Sequence, residues 1–156
     1  MKAMKTMNQV NIRLATETDI PSICRLQQEW FDEGSVYGFE PESQEQLRLI
    51  LGSFCLVAEM DEDIIGFVTG FIHTSDGLAV IPAGKRYIEV DNAYVSLQYR
   101  RQGIGGHLVD QLLVAAEKQG VTYALLYSAT KDIRSILKFY EQHGFQSWSI
   151  QMFRSL

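Results

Sequence analysis

The residues whose types and spacing suit them to chemistry lie first in the stretch YRRQGIGGHLV, residues 99–109. Two adjacent arginines, Arg100 and Arg101, precede three glycines, and an apolar helical pattern follows at once. A strand, such a turn and then a helix make an arrangement in which backbone N–H groups converge on an anion. The glycines let the backbone approach that anion, and the arginines can add charge-assisted hydrogen bonds. The pattern predicts a site for a diphosphate.

Spacing separates this turn from two nucleotide-binding motifs. A dinucleotide fingerprint would need glycine at position 108, where the chain has Leu108, and would follow the first strand rather than the fourth. A P-loop would need Lys and Ser or Thr after the last glycine, where His107 and Leu108 stand. A protein that binds ATP or a dinucleotide is therefore the least favoured interpretation. A plain tight turn with solvated arginines stays open.

Hydrophobic patterning predicts the elements that must position the turn. The predicted order is β-α-α-β-β-β-α-β-α-β. It indicates an α/β (α+β) fold in one domain over residues 1–156, with a single mixed, mostly antiparallel sheet and helices on both faces. Strands are expected at 10–14, 54–60, 64–72, 86–96, 121–129 and 145–153, and helices at 20–31, 41–51, 103–119 and 133–143.

Composition excludes several classes of protein. The chain of 156 residues has a net charge of −5 and 46% hydrophobic residues, which suits one globular core. A pI near 5.2 argues against general nucleic-acid binding, which needs a basic face. No run of about 18 apolar residues and no signal-peptide pattern occurs, so we expect a cytoplasmic protein with no membrane partner.

Cysteine and histidine spacing predicts no metal site. Cys24 and Cys55 sit in apolar patterns typical of buried free thiols. His73, His107 and His143 have no ligand-like spacing to each other or to the cysteines.

Three segments in the right order carry a family resemblance. Residues 100–105 resemble the Q/R-x-x-G-x-G/A signature of the GNAT superfamily of N-acetyltransferases. The segment IRLATETDIPSI resembles the family's first strand and helix, and FYEQHGF resembles its late helix-to-strand signature. The resemblance implies the acyl-CoA N-acyltransferase (GNAT) fold, acetyl-CoA as co-substrate and direct attack by a primary amine. Homodimerisation is common in this fold.

The resemblance also implies which residues contact the cofactor. The main-chain N–H near Val95 would face the thioester carbonyl, and the amides of residues 102–106 would hold the pyrophosphate. Two positions depart from the family pattern: Leu97 replaces a common proline, and Ile133 replaces an asparagine that contacts the pantetheine arm. The implied cofactor-binding residues are Ala93, Tyr94, Val95, Arg100, Arg101, Gln102, Gly103, Ile104, Gly105, Gly106, Ser135 and Tyr140.

Proton transfer points to three catalytic candidates. An alkylammonium has a pKa near 10.4, so a base or a water relay must remove its proton at neutral pH. Asp91 is the first candidate and Glu89 the second, because period-2 alternation places positions 89, 91, 93 and 95 on one strand face. Tyr140 matches the family's general acid for the departing thiolate. The alternatives are solvated carboxylates with water as base, and a core tyrosine.

The sequence defines the amine that accepts the acetyl group less closely than it defines the acetyl-CoA that donates it. Trp30, Phe31 and Tyr37, with Asp91, are the expected substrate-binding residues, and an acidic protein favours a small cationic amine as acceptor. Core aromatics beside a solvated acidic loop are the plain alternative. A protein N-terminus or lysine as acceptor, and a module that binds acyl-CoA without transferring it, also stay open.

Overall fold

The computed structural model describes residues 9–156 and places five strands in one sheet across them. The helical elements follow the predicted order, and short 3-10 turns cover Glu17–Asp19 and Leu97–Tyr99. The strands are β1 (Asn11–Leu14), β2 (Cys55–Met60), β3 (Asp63–Thr74), β4 (Arg86–Val95) and β5 (Tyr123–Leu126), and the helices are α1 (Ile20–Glu33), α2 (Gln44–Ile50), α3 (Ile104–Glu117) and α4 (Ile133–Gln142).

The sheet has the spatial order β1-β2-β3-β4-β5. The first three pairings are antiparallel, and β4 pairs with β5 in parallel. The hairpin of β2 and β3 closes through Asp61 and Glu62, whose φ angles of 51° and 65° match the two-residue turns that suit the twist of hairpins. The mixed, mostly antiparallel sheet predicted from the sequence is confirmed.

Helices cover both faces of the sheet and bury two apolar layers. One layer packs α3 against the sheet and includes Val90, Val95 and Leu108. The other packs α1 and α2 against the opposite face and includes Leu26, Phe67 and Tyr94. We call these the α3 layer and the α1/α2 layer. Because neighbouring strand residues point to opposite faces, each layer takes alternate side chains of the same strands.

An ion pair with one buried partner, Asp19, holds the entry to α1. Asp19, which is 5% exposed, accepts hydrogen bonds from both terminal nitrogens of Arg13 at 2.7 and 2.9 Å. It also accepts from the backbone N–H of Thr16 at 2.8 Å. These bonds lower the pKa of Asp19, with the Arg13 guanidinium as the main cause. The contact ties β1 to the start of the first helix.

The strand predicted at 145–153 is not formed. The described chain after α4 has no strand, and β5 pairs with β4 alone among the described strands. The alternation of Trp148, Ile150 and Met152 predicts a strand, but no described strand pairs with this segment, and alternation alone does not supply the hydrogen bonds of a ladder. These three side chains are 43%, 76% and 87% exposed. Across residues 9–156, no helix is long and apolar enough to cross a membrane.

Candidate active site

The glycine turn leaves the N-terminus of α3 without a side-chain cap. Gly103 is the N-cap residue with φ of 78°, and the helix begins with the bond from His107 N to Gly103 O at 3.0 Å. The N–H groups of residues 104–106 therefore have no partner within the helix. Arg101 also has a left-handed φ of 62°, and such alternation turns successive N–H groups into an anion-binding concavity. The geometry suits a phosphate at this end of α3.

The third glycine has a structural reason that the sequence interpretation missed. A Cβ on Gly106 would lie 2.5 Å from His143 Nε2 and 2.6 Å from His143 Cε1. The imidazole is held in place by a contact of 2.9 Å between His143 Nδ1 and Asp110 Oδ1 and by packing on Phe139. Gly106 therefore lets α4 approach α3, whereas the prediction assigned it to ligand approach alone.

The two arginines have different surroundings. The Arg100 Nη2 donates to both carboxylate oxygens of Glu33 at 2.8 and 3.0 Å, and its Nε donates to Val95 O at 2.8 Å. Its guanidinium also lies 5.2 Å from the centre of the Tyr94 ring. Arg101 is exposed and makes no side-chain hydrogen bond or ion pair in the described chain. Arg101 is thus the arginine with its donors available to an anion.

The sheet opens beside the turn. The parallel ladder between β4 and β5 ends at Val90 and Leu126, while β4 continues to pair with β3 as far as Val95. The outer backbone edge of β4 after Val90, which includes the predicted residues Ala93, Tyr94 and Val95, therefore has no partner among the described strands. Unpaired backbone groups at such an opening suit an extended amide-containing chain.

A β-bulge corrects the prediction that positions 89, 91, 93 and 95 share one face. Thr69 and Gly70 of β3 are paired with Asn92 and Val90, so Asp91 is the extra residue of β4. Val90, before the bulge, and Val95, after it, both lie in the α3 layer. Alternation then turns Glu89 toward the α1/α2 layer. Glu89 and Val95 project from opposite faces.

The two carboxylates predicted as bases lie close enough to interact. Glu89 Oε2 lies 2.8 Å from His73 Nε2. Asp91 is exposed and accepts a hydrogen bond from Asn92 Nδ2 at 3.1 Å. Its pKa is nevertheless raised, mainly by partial desolvation and next by the Glu89 carboxylate. Asp91 is in no ion pair within the described chain, so it is the freer of the two carboxylates.

Tyr140 packs in the α3 layer, on the side of the sheet that holds Ala93 and Val95. Its ring contacts Phe139 and Phe145 edge-on, with centroids at 4.9 and 5.4 Å. Desolvation raises its pKa to about 12, so the hydroxyl is protonated at neutral pH. The predicted cofactor contact Ser135 lies in the first turn of α4, where its N–H donates to Asp132 Oδ1 at 3.3 Å.

The predicted acceptor aromatics do not form one cluster. Trp30 packs on Phe39 and Tyr94, with ring centroids 4.3 and 5.3 Å apart. Phe31 is 51% exposed. The backbone N–H of Tyr37 donates to Ala129 O at 2.9 Å, so the loop after α1 crosses to the segment after β5. Trp30 is thus largely a core residue, and Tyr37 lies where this loop bridges the two segments.

An open acidic depression of roughly 370 Å³ lies beside Glu33. Its main carboxylates already have partners. Glu33 accepts from Arg100 and, at 2.5 Å, from the Tyr94 hydroxyl, while Glu29 accepts from Ser96 Oγ at 2.8 Å and from Arg25. This depression is therefore a poor candidate for binding a cation.

Cys24 and Cys55 are free thiols, and burial is the main cause that raises the pKa of Cys55 to about 11. Between residues 9 and 156, no group of His, Cys, Asp or Glu side chains is arranged to hold a metal ion.

Comparison with known proteins decides the family. The model of the acetyltransferase (GNAT) family matches residues 20–145. The chain belongs to the GNAT family. The family, the fold and the class of enzyme, an acetyltransferase, are thus confirmed as the sequence predicts them. No curated protein sequence matches the chain.

Solved GNAT structures share the fold over nearly the whole chain. An aminoglycoside N-acetyltransferase in complex with CoA is 17% identical, with 98% of each chain covered and a TM-score of 0.74. An aminoglycoside acetyltransferase from an uncultured soil metagenomic sample, in complex with trehalose, is 21% identical, with 94% of this chain and 96% of that chain covered and a TM-score of 0.70. A ribosomal-protein-alanine N-acetyltransferase from Brucella melitensis biovar Abortus 2308 is 23% identical, with 94% of this chain and 100% of that chain covered and a TM-score of 0.67.

Proposed function

We propose that this protein transfers the acetyl group of acetyl-CoA to a primary amine of a small cationic molecule, with residues 1–156 as one GNAT domain. The observation that carries the proposal is the uncapped N-terminus of α3 beside the open edge of β4. The N–H groups there suit a pyrophosphate, with Arg101 as the available cation. The β4 edge at Ala93 and Val95 suits the amides of a pantetheine arm.

The proposed reaction balances with three protein groups. Asp91, directly or through water, takes one proton from the acceptor ammonium, and Glu89 is the second candidate for this role. The free nitrogen attacks the thioester carbonyl carbon, and the backbone N–H of Val95 donates to the resulting oxyanion. The C–S bond then breaks, Tyr140 gives its proton to the thiolate, and the second nitrogen proton returns to Tyr140 through solvent. One proton is released for each acetamide and CoA thiol formed.

Two observations favour a small cationic acceptor. The protein carries a net charge of −5, which raises the local concentration of cations. Several proteins of similar fold are aminoglycoside acetyltransferases, whose acceptors by that name carry amines. The similarity to a ribosomal-protein-alanine N-acetyltransferase supports a second candidate, a protein N-terminus. A cytoplasmic location and homodimerisation stay predictions of the sequence, which cell fractionation and sedimentation would test.

A thiol-release assay tests the proposal. Purified protein and acetyl-CoA are incubated with alkyl diamines, an aminoglycoside, a peptide with N-terminal alanine and a lysine peptide, with a blank that lacks acceptor. We expect release with the small cationic amines. Release with peptides alone would favour the second candidate, and saturable binding of acetyl-CoA without release would favour a sensor. Calorimetric binding of ATP or NAD in place of acetyl-CoA would refute the proposal.

The role of Tyr140 has its own test. Tyr140→Phe keeps the ring packing on Phe139 and Phe145 but removes the hydroxyl. If the hydroxyl protonates the thiolate, kcat should fall by about 100-fold or more, whereas the affinity for acetyl-CoA should change by less than about threefold. An unchanged kcat would make Tyr140 a core residue only.

A further inference from the structure

The hydrogen-bond pattern of β4 decides which of its backbone groups face the open edge. Gly66 and Val95 lie opposite each other in the ladder between β3 and β4. The neighbouring pair is tied by a hydrogen bond from Ser96 N to Ile65 O at 2.9 Å. In an antiparallel ladder, hydrogen-bonded pairs alternate with pairs whose N–H and C=O groups point away from the partner strand. The N–H and C=O of Val95 therefore point away from β3, toward the open edge of β4.

An arginine side chain occupies the carbonyl of that residue. Arg100 Nε donates to Val95 O at 2.8 Å. Val95 is the last residue of β4, so this bond holds the strand backbone at the point where the ladder to β3 ends. The bond leaves the Val95 N–H directed at the opening, with its orientation fixed.

The Arg100 guanidinium is in turn held by α1. Its Nη2 donates to both carboxylate oxygens of Glu33 at 2.8 and 3.0 Å, and the Glu33 side chain is 21% exposed. Such charge-assisted hydrogen bonds are stronger than neutral ones and fix the geometry of the guanidinium. Glu33 Oε1 also accepts from the Tyr94 hydroxyl at 2.5 Å. One carboxylate thus binds both the residue before Val95 and the arginine that binds Val95, and we call Glu33 and Arg100 the brace.

A second carboxylate of α1 binds the residue after Val95. Ser96, which is 7% exposed, donates from Oγ to Glu29 Oε2 at 2.8 Å. Glu29 and Glu33 are four residues apart and therefore lie on the same face of α1. Helix α1 consequently holds the chain on both sides of Val95.

We propose that Glu33 is a positioning residue for acyl transfer, because through Arg100 it holds the end of β4 with the Val95 N–H directed at the thioester carbonyl. Arg100 is then a structural arginine, and Arg101 serves the pyrophosphate. A backbone donor stabilises an oxyanion most when it is oriented before the charge develops, since no reorganisation is then needed during the reaction. This inference rests on the proposed function, in which the Val95 N–H donates to the oxyanion.

Glu33→Gln tests the brace, and Asp32→Asn is the control. Glutamine keeps the size of the side chain and removes the charge that binds Arg100. Asp32 lines the same depression as Glu33, but its carboxylate accepts a hydrogen bond from Gln28 within α1 at 2.9 Å. Loss of an oxyanion donor lowers kcat by about 100- to 1000-fold, so a misdirected one should lower it by about 10- to 100-fold in Glu33→Gln. The Kd for CoA, measured by calorimetry, should change by less than about threefold, and Asp32→Asn should keep both values.

Arg100→Lys provides a second variant if Glu33→Gln folds poorly. A lysine has one nitrogen in place of the planar fork, so it cannot bind Val95 O and both Glu33 oxygens together. It should lower kcat to a similar extent, and the double variant should be no slower than either single variant, because the two residues act as a unit.

Infrared spectroscopy gives a readout that does not depend on turnover. With acetyl-CoA isotope-labelled at the thioester carbonyl, binding to the wild type should lower the carbonyl stretching frequency, because a hydrogen bond weakens the C=O bond. Both brace variants should lower it less. An equal frequency in the wild type and in Glu33→Gln would overturn the proposal.

Three kinetic results would also overturn the brace alone: an unchanged kcat in Glu33→Gln, an equal fall of kcat in Asp32→Asn, or a raised Kd for CoA with unchanged kcat in Arg100→Lys. The last result would make Arg100 a phosphate ligand. The absence of thiol release with every amine, in a protein that binds acetyl-CoA, overturns the proposed function and the role of the brace with it. The two failures are therefore distinguishable.

Discussion

Replacing Gly103 by alanine should weaken CoA binding through backbone geometry alone. Gly103 has φ of 78°, and a Cβ there would meet nothing within 4 Å, so the substitution introduces no clash. An L-residue in the left-handed region is strained by about 1–2 kcal/mol. We expect rotation of this φ to relieve part of the strain, because the turn is exposed. That rotation should turn the N–H groups at the start of α3 so that they no longer converge on one anion.

The size of the effect follows from the lost contact. A hydrogen bond to a charged group contributes about 1.5–3 kcal/mol, so misdirecting one N–H should raise the Kd for CoA about 10- to 100-fold. Isothermal titration calorimetry measures this Kd. Acetyl-pantetheine, which lacks the pyrophosphate, should react with unchanged kcat/KM.

The opposite end of the same helix supplies the control. Gly120 also has φ of 78°, and a Cβ there would also meet nothing within 4 Å. Gly120→Ala should therefore lower the free energy of unfolding by a similar amount, about 1 kcal/mol, and leave the Kd for CoA unchanged. Equal Kd values for the two variants would refute the assignment of the pyrophosphate to this turn.

Two further predictions concern stability. Asp19→Asn should lower the free energy of unfolding by about 2 kcal/mol at pH 7, because it weakens charged hydrogen bonds to Arg13. Since the pKa of Asp19 is lowered by folding, this stability is present above about pH 4 and should disappear as the pH falls through the lowered pKa. Urea titrations of the wild type and of Asp19→Asn from pH 7 to pH 2 would show this pH dependence. Asp63→Asn is the control, because the Asp63 carboxylate is 60% exposed, and a similar loss of stability in that variant would contradict the prediction. Gly106→Ala should lower the free energy of unfolding by about 1–3 kcal/mol, because the added methyl group overpacks against His143. In thermal unfolding, the double variant Gly106→Ala/His143→Ala should recover part of that loss. A double variant no more stable than Gly106→Ala would contradict the contact.

Sequence reasoning succeeded where the signal is local. The glycines at 103, 120 and 144 all have φ between 78° and 84°, and they end or begin helices where the pattern predicts it. The sequence did not predict features that depend on residues far apart in the chain. The bulge at Asp91 is defined by pairing with β3, and the Arg100 side chain is engaged by Glu33, 67 residues away.

The bulge also determines how one strand can serve two ligands. An unbroken β4 would point Glu89, Asp91, Ala93 and Val95 to one side, so carboxylates and cofactor-facing residues would compete for the same space. With Asp91 as the extra residue, Ala93 and Val95 lie on the α3 side, where Tyr140 also packs, and Glu89 turns toward the α1/α2 side. In the proposed reaction, a donor held by α3 and a cationic acceptor held by carboxylates would approach from opposite faces and meet at the open edge of β4. That separation would keep the negative charge of the acceptor side away from the pyrophosphate, so that an acidic protein could hold two ligands of opposite charge.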